Sequence, residues 1–527
     1  MLCLSKFLSS TCYKDRRIIR GVKLNKMAMV TIGPKTIKLT FANVEQDKCF
    51  YVYDELVEYL DLALDLPEGG MIRAVASAEI IKILKMYKRI CEKQGIENVY
   101  AFISSFVAKA KNQVSFIDEL ESASGLRFKL LTVEDEMNAT YMGIINSIDV
   151  PRGIIIDIQE ESTNLIKYFR KSIVANISIP IGASSLSKLF TSNDYTPKEI
   201  HEQMVDFFKT QLDDYGIDEE FVAGCKYICV GKMAQGLFKM CVKVKKYPLD
   251  MQHNYVVDNN TYPDVYKIIE TLEVDASKKI KGISNESADI FAGGMSIYKA
   301  IFDLQEEFEA MISTYGVEEG LLFSLAMPST VEKPVADILQ MCLDSLLIQY
   351  DSSRKNGQKV SDLAVLIFKQ LKVLHKLPRT YLKSLKIAAT LYRSGEAINY
   401  RNLYKNNFNV ILSNPIFGAS HKEQLLAAFI AQNVNNEAFN LAEWVKYKDI
   451  LNEDDLDAMK KLSAILNIAI GLDITENGEI NDLSCDVLGD SVIMKTSSET
   501  DVDFEIKYAL HASKNFKRAF GKYLEIL

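Results

Sequence analysis

The chain has 527 residues, a formal net charge of −8 and an apolar content of 48%. This length exceeds what one hydrophobic core supports and predicts about three to four domains. The acidic balance excludes a global basic field that would draw the chain to nucleic acid or to an anionic membrane, so an anionic ligand needs a local positive site. No apolar run approaches the roughly 20 residues of a membrane-spanning helix.

Cysteine and histidine are too scattered to predict a metal site. The closest cysteines, Cys225 and Cys229, have three residues between them, which is not a usual zinc or redox spacing. No two of the five histidines share a metal-ligand spacing, so we expect neither a zinc nor a di-iron site. Reduced thiols are typical of the cytoplasm, which is the location that we expect.

The N-terminal segment 1–26 is basic, and its apolar part precedes its charges. A secretory signal has the opposite order. Three interpretations stay open, namely an organellar presequence, a disordered tail, or a start codon assigned too early, with Met27 or Met29 as the true start.

Four further regions follow in chain order. Residues 27–148 alternate strand patterns with helical patterns and predict a first α/β domain. Residues 149–327 predict a second α/β domain, because three strand patterns are followed by helices and by a strand at 226–230. A turn-rich boundary leads into 328–475, where apolar residues at helical spacing predict an all-α domain.

The last region, 476–527, predicts a small α+β domain. Alternating residues indicate strands at 491–496 and 502–506, and a helix that includes Phe516 and Tyr523 closes the chain.

Two strand-turn-strand patterns, at 30–39 and at 154–164, lie about 120 residues apart and predict a duplicated domain with a cleft between the copies. Turns of this kind bind phosphate through backbone N–H groups and hydroxyls. Asp157 ends the apolar strand of the second pattern, so a position in the core or in the cleft is expected.

The order and spacing of these segments resemble the exopolyphosphatase / guanosine pentaphosphate phosphohydrolase family from about Met29 to Leu527. The stretches that carry the resemblance lie at 140–143, 177–183, 287–293, 313–322, 418–423 and 466–473. The resemblance implies a duplicated actin-like, ribonuclease-H-like α/β fold, then an HD-related all-α domain and a small α+β end. It also implies hydrolysis of the terminal phosphate of polyphosphate or guanosine pentaphosphate, and pairing of two copies into a homodimer.

The family's first turn has the form Asp-Ile-Gly-Ser-Asn-Ser/Thr. Here Thr31 stands at the aspartate position, Gly33 and Thr36 remain, and a proline and Lys35 replace the middle pair. Proline has no N–H to donate. Lys35 and Lys38 could compensate as point charges that bind phosphate.

The second and third family motifs are changed less. The second, Thr-Ser-Ala-x-Arg, keeps its hydroxyls as Ser104 and Ser105 and loses its arginine. The third, Gly-x-Glu-Glu-Ala, keeps an acidic pair as Asp135 and Glu136. The resemblance implies that a carboxylate at this place is the general base for the attacking water.

The fourth motif, Asp-Ile-Gly-Gly-Gly-Ser-Thr-Glu, keeps Asp157, Ser162 and Thr163, but side chains that include Glu160 and Glu161 replace the glycines. A side chain obstructs close approach of the backbone to phosphate. Each carboxylate about 4 Å from a phosphate charge costs on the order of 4 kcal/mol at an effective dielectric near 20. A Mg²⁺ ion held by Asp157, Glu160 and Glu161 would reverse that sign.

The HD-like motif is also altered. Its histidine–aspartate pair aligns with Tyr392 and Arg393, a later histidine aligns with Asn406, and only His421 remains. The resemblance therefore predicts no metal ion in the helical domain.

Three hypotheses about function stay open. The protein is a phosphoanhydride hydrolase with an altered phosphate site, or a non-catalytic relative that binds an anionic ligand or an active paralogue, or an enzyme for another phosphoryl substrate of the wider sugar-kinase-like superfamily. Each candidate side chain also has a structural interpretation. The acidic pair fits the first turn of a helix, the hydroxyls fit local caps, and the lysines fit a solvated surface.

Overall fold

The computed structural model describes residues 24–527, with gaps at 46–47, 61, 63–69, 191–194, 272–287, 331–332, 351, 353 and 435–439. Nearly all of the basic N-terminal segment and Ser287 of one family-like stretch lie outside the described residues. The chain forms two compact units. The first contains residues up to Gly236 together with Tyr266–Ala336, and the second contains Leu237–Val265 and Asp337–Leu527. Residues 237–265, which the sequence assigns to the second α/β domain, therefore group with the helical region.

The first sheet of the first unit is a meander extended by parallel strands. Its strands are β1 (Asn25–Ile32), β2 (Thr36–Glu45), β3 (Cys49–Tyr59), β4 (Asn98–Ile103) and β5 (Phe128–Leu130), in the order β3-β2-β1-β4-β5. β1, β2 and β3 pair antiparallel, whereas β4 runs parallel to β1 and β5 parallel to β4. Two helices, α1 (Ala74–Lys93) and α2 (Gln113–Ser124), accompany this sheet. The helix α1 buries Ile80, Leu84, Tyr87 and Cys91, one apolar stripe at helical spacing, in the same core as β1 and β2.

The second sheet repeats this plan. The next strands are β6 (Arg152–Ile158), β7 (Thr163–Phe169), β8 (Ser172–Ile179), β9 (Lys226–Val230), β10 (Tyr255–Asp258, in the second unit) and β11 (Glu309–Ile312). Within the first unit the order is β11-β9-β6-β7-β8. β6, β7 and β8 pair antiparallel, while β9 runs parallel to β6 and β11 parallel to β9. The two turns of interest, after β1 and after β6, hold equivalent places in the two sheets.

The next helices, α3–α10, are Val133–Ile145, Ala183–Leu189, Pro197–Asp214, Glu219–Val222, Gly231–Lys245, Tyr262–Ile269, Ala288–Phe302 and Val317–Ala326.

Helices α3 and α10 of the first unit cross with almost no side chain between their backbones. A Cβ added at Gly320 of α10 would lie 1.7 Å from the Ala139 carbonyl oxygen of α3, and one added at Gly143 would lie 2.6 Å from the Gly316 oxygen. Two of the family-like stretches, 140–143 and 313–322, therefore supply glycines that this crossing requires.

The second unit is mainly helical and ends in a small sheet. Helices α11–α20 are Ile338–Gln349, Arg354–Gln370, Lys372–His375, Tyr381–Thr390, Leu403–Ser413, His421–Gln432, Leu441–Val445, Glu453–Gly471, Asp503–Ala509 and Ser513–Phe520. Strands β12 (Asp482–Val487), β13 (Ser491–Ser497) and β14 (Tyr523–Ile526) form the sheet β12-β13-β14. Within the described ranges no helix has both the length and the apolar character needed to cross a lipid bilayer.

Two details of the C-terminal prediction are wrong. Residues 502–506 do not form a strand, because 503–509 is helix α19, whose Phe504 and Tyr508 rings meet one helical turn apart with centroids at 4.8 Å. This helix packs so closely on α18 that a Cβ at Gly471 would lie 2.4 Å from the Ala509 Cα. Tyr523 belongs to β14, since the last helix ends at Gly521 in the left-handed conformation (φ 71°).

Candidate active site

The turn after β6 is closed by one backbone hydrogen bond and braced by a helix. The Gln159 N–H donates to the Ser162 carbonyl at 2.9 Å. The first amides of α4 then donate to the turn from outside, Ala183 N–H to the Gln159 carbonyl at 2.9 Å and Ser184 N–H to the Glu160 carbonyl at 2.8 Å. The second turn is therefore fixed by the start of this helix.

Gly182 makes that brace sterically feasible. A Cβ at this position would lie 2.5 Å from both the Gln159 oxygen and the Ser162 nitrogen, which are backbone atoms. Within the part of the chain that the structure describes, the amides of Glu160, Glu161 and Ser162 donate to no protein acceptor. Adjacent amides of this kind are donors that an anion can use.

The turn after β1 is built differently. The Gly33 N–H donates to the Thr36 carbonyl at 2.8 Å, and the Lys35 carbonyl accepts from the Leu60 N–H at 3.1 Å. Pro34 has no N–H. This turn therefore has fewer backbone donors than the second, and its chemistry lies in its lysine side chain.

An ion pair joins the two turns. The Lys35 Nζ lies 2.6 Å from a Glu160 carboxylate oxygen, and the two side chains are 24% and 35% exposed. The sequence predicts Lys35 as a phosphate ligand and Glu160 as a magnesium ligand. In the structure the two residues neutralise each other.

Glu136 is held at the start of α3 by a single serine. The Ser105 N–H donates to Glu136 Oε1 at 2.9 Å, and the Ser105 hydroxyl donates to Oε2 at 2.7 Å. Glu136 is buried, and Ser105 opens the short 3₁₀ helix Ser105–Lys109 after β4. The second and third family motifs thus meet at one oriented carboxylate.

Asp157 shares the electrostatic environment of Glu136. Burial raises the pKa of Asp157 to about 6, the negative charge of Glu136 adds to this rise, and hydrogen bonds from Gln159 and Asn164 oppose it. The Gln159 Nε2 donates to Asp157 Oδ2 at 3.0 Å. Gly231, in the left-handed conformation (φ 84°), leaves room for the other carboxylate oxygen, Asp157 Oδ1, since a Cβ added at Gly231 would lie 3.1 Å from it.

Asp135, the other half of the predicted acidic pair, caps the helix. Its carboxylate accepts from the Thr132 N–H at 3.0 Å and pairs with Lys129 at 3.0 Å. These interactions, led by the backbone hydrogen bond from Thr132, lower the pKa of Asp135. The two acids make different contacts, since the helix cap and Lys129 engage Asp135 whereas Ser105 orients Glu136, so Glu136 is the better candidate base.

Lys38 belongs to a second charged cluster. Its Nζ lies 2.6 Å from Glu318 and 3.3 Å from Glu55, and the Thr31 hydroxyl donates to Glu318 Oε1 at 3.1 Å. Burial lowers the pKa of Lys38, but the charges and hydrogen bonds of Glu318 and Glu55 together raise it by more. The net shift of this pKa is upward. Glu318 is not among the site residues predicted from the sequence, although it lies in the family-like stretch 313–322.

The remaining predicted phosphate ligands use their hydroxyls locally. The Ser104 hydroxyl accepts from the Phe106 N–H at 3.3 Å. The buried Thr163 hydroxyl donates to the Ile181 carbonyl at 2.7 Å, and the Ser162 hydroxyl stays within its own turn at 3.4 Å from the Gln159 side chain. These contacts match the structural interpretation of caps and turn bonds.

The three predicted magnesium ligands do not converge. Glu160 pairs with Lys35, Glu161 lies 3.6 Å from Lys188, and Asp157 accepts a hydrogen bond from its own turn. Across the described ranges, no three or more His, Cys, Asp and Glu side chains are grouped as metal ligands. This donor set does not fit a shared Mg²⁺ ion, and we assign no chemical step to one.

In the second unit, the residues that the resemblance aligns with the HD motif bond to neighbouring protein groups. The Tyr392 hydroxyl donates to Asn356 Oδ1 at 2.6 Å, and Asn356 Nδ2 donates to Asp473 Oδ2 at 2.8 Å. Arg393 pairs with Glu396 at 2.7 Å. Structural bonds occupy these side chains.

His421 is also a structural residue. Its Nε2 lies 2.9 Å from the His253 carbonyl, so this nitrogen carries the proton, and its Nδ1 lies 2.9 Å from the Tyr247 hydroxyl. Burial lowers the pKa of His421, although the hydrogen bond to the His253 carbonyl opposes this. Asn406 donates to the Gly395 carbonyl at 3.3 Å.

Comparison with known families gives two consecutive matches. A model described as the Ppx/GppA phosphatase family matches residues 42–328, and one described as Ppx/GppA phosphatase, domain III, matches residues 338–512.

Individual relatives are distant. The bifunctional 3-dehydroquinate synthase/phosphatase of Fusobacterium nucleatum is 23% identical over 313 residues, which cover 56% of this chain and only 46% of that protein. The guanosine-5'-triphosphate,3'-diphosphate pyrophosphatase of Aeromonas hydrophila is 21% identical over 407 residues, or 73% of this chain and 75% of that protein. The crystal structure of the Ppx/GppA family member from Aquifex aeolicus superposes with a TM-score of 0.52 at 20% identity, covering 58% of this chain and 99% of that one.

Proposed function

Because this chain belongs to the Ppx/GppA phosphatase family, we propose that its first unit binds a phosphoanhydride and slowly hydrolyses the terminal phosphate. The candidate ligands are inorganic polyphosphate and guanosine penta- or tetraphosphate. The Aeromonas hydrophila relative supports the guanosine ligands by its described activity. The observation that carries the proposal is the buried Glu136 carboxylate, oriented by both donors of Ser105 beside Asp157.

Glu136 has the chemistry of a general base in this arrangement. A carboxylate offers about four lone-pair positions, and Ser105 uses one on each oxygen. A remaining lone pair accepts the proton of a water molecule as its oxygen attacks the terminal phosphorus. The bridging P–O bond breaks, and its electron pair leaves with the shortened polyphosphate or guanosine phosphate.

The rate of hydrolysis is expected to be low because the Glu160 carboxylate already occupies the place beside Lys35 that a phosphate would take, and this carboxylate is negatively charged. Lys35 is paired with Glu160, and the neighbouring Glu161 adds another carboxylate to the same turn. Backbone amides alone must then offset the repulsion between a phosphate and two carboxylates.

The test is phosphate release from long-chain polyphosphate and from guanosine pentaphosphate, with and without Mg²⁺. We expect Glu136→Gln to lower release roughly 100-fold or more, the usual contribution of a positioned base. Asp135→Asn tests the other half of the acidic pair, and Glu134→Gln, an exposed carboxylate on the same helix turn, is the matched control. Equal release by wild type and Glu136→Gln would refute the assignment of the base.

A non-catalytic regulator that binds an anion or an active paralogue is the second candidate. It is favoured by the internal bonds of the site, in which Lys35, Lys38 and Asp157 are each engaged by a neighbouring side chain. A ligand that binds only the folded state at 100 times its Kd stabilises it by about 2.7 kcal/mol. Thermal protection by guanosine tetraphosphate, with background release in every variant, would identify this function.

A further inference from the structure

We propose that Glu160 is an internal competitor for the anion, so that a phosphate reaches Lys35 only by displacing the Glu160 carboxylate. This inference rests on the proposed function and adds a residue that determines its specificity. The contact that carries it is the 2.6 Å ion pair between Lys35 Nζ and Glu160. A carboxylate oxygen beside an ammonium group presents the charge and the acceptor that a phosphate oxygen would present.

The pair is formed between two fixed turns. Backbone hydrogen bonds within 33–36 and to Leu60 hold the first turn, and the start of α4 holds the second. The ion pair therefore joins the two halves of the duplicated fold at the loops that the family resemblance assigns to phosphate. Both side chains are about one-quarter to one-third exposed, so a dissolved anion can reach them.

The second turn supplies the rest of the competing site. Among the described residues, the amides of Glu160, Glu161 and Ser162 have no protein acceptor. An anion that displaces the Glu160 carboxylate would gain Lys35 and could also bind these amides. The carboxylate is tethered to the same turn, so its effective concentration at Lys35 is high.

This arrangement selects for ligands of high charge. A single orthophosphate must exchange with a preformed intramolecular pair, whereas a chain of phosphates carries several charges into the same region. The competition should thus discriminate against orthophosphate and in favour of tripolyphosphate and longer chains. Partly exposed pairs of this type change affinity by up to roughly fivefold.

The experiment is a double-mutant cycle on the affinity for tripolyphosphate, measured by calorimetry at low salt. The proteins are wild type, Glu160→Gln, Lys35→Met and the double variant. Glu309→Gln, which breaks the Lys226–Glu309 surface pair in the same unit, controls for the change in net charge. We expect Glu160→Gln to tighten binding roughly fivefold, Glu309→Gln to leave it unchanged, and Lys35→Met to weaken it.

The double variant decides between competition and simple repulsion. Competition for Lys35 predicts that Glu160→Gln gives no gain once Lys35 is methionine. An equal gain in both backgrounds would overturn the proposal, because Glu160 would then act by repulsion alone. A gain that depends on Lys35, together with no phosphate release, would refute hydrolysis and support the competition, while no binding by any folded variant would refute both.

Discussion

The turns after β1 and β6 hold equivalent places in two sheets of the same strand order, yet their residues differ in charge and in backbone hydrogen bonding. The first, 33–36, contains a proline and presents a lysine. The second, 159–162, presents carboxylate side chains and three amides that have no acceptor among the residues that the structure describes, and a helix start fixes its carbonyls. Positive charge and backbone donors, which a phosphate site combines, are thus divided between two loops. The ion pair Lys35–Glu160 joins the two loops in their present form.

The largest expected effect is on the free energy of unfolding, and it shows whether only the second turn is braced by a helix. Gly182→Ala should lower the free energy of unfolding by about 3 kcal/mol, because its Cβ would meet two backbone atoms at 2.5 Å. Gly33→Ala should cost less than about 1 kcal/mol, because the nearest atoms lie 3.6 Å away. Denaturant unfolding of both variants measures the difference, and similar losses would remove the contrast between the turns.

The next effect is expected where the two strands end, at Asp157 and at its counterpart Thr31. The pKa of Asp157 is about 6 in the folded protein, above the ordinary value of 3.8, so the folded state binds this proton more tightly than the unfolded state. The resulting penalty is absent below about pH 4 and complete above about pH 6. Asp157→Asn should therefore raise stability by about 3 kcal/mol at pH 7.5 and lose that gain at pH 4. A gain that does not change with pH would contradict the assignment.

The smallest effect concerns Thr31. Thr31→Val keeps the shape of the side chain and removes its 3.1 Å hydrogen bond to Glu318. We expect a loss of about 1 kcal/mol at any pH between 5 and 8, in contrast to the pH-dependent gain at Asp157. Thermal unfolding across this pH range measures whether stability falls and whether the loss is independent of pH. A loss that changes with pH would contradict the contrast between Thr31 and Asp157.

The fold could be predicted where its signals are local. The strand-turn-strand repeats, the change to helical spacing near residue 328 and the order of the stretches led to the family, which the comparisons confirm. The actin-like α/β fold is supported as well, while the HD relationship stays a prediction. The segment 502–506 was misassigned because three alternating apolar residues fit a strand or a helix, and its contact with Gly471 is invisible in the local sequence.

The site could be predicted only in part. The sequence identifies several of its residues but not which of them pair, because Lys35 and Glu160 lie 125 positions apart and Thr31 and Glu318 lie 287 positions apart. One distinction was available from the sequence. Thr132 followed three residues later by Asp135 is the pattern of a capping box, and the structure contains that box, which leaves Glu136 as the acid of the pair that bonds to Ser105.

The crossing of α3 and α10 restricts how the first unit can move. With the Gly320 backbone against the Ala139 carbonyl, and Gly143 against Gly316, the helices cannot slide along each other without pressing backbone atoms together. The two contacts lie about one helical turn apart on each helix, so they also resist a change of the angle between the helices. The two helices carry Glu136 and Glu318 near their N-termini, so this packing holds the candidate base and the Lys38 cluster on one rigid pair of helices.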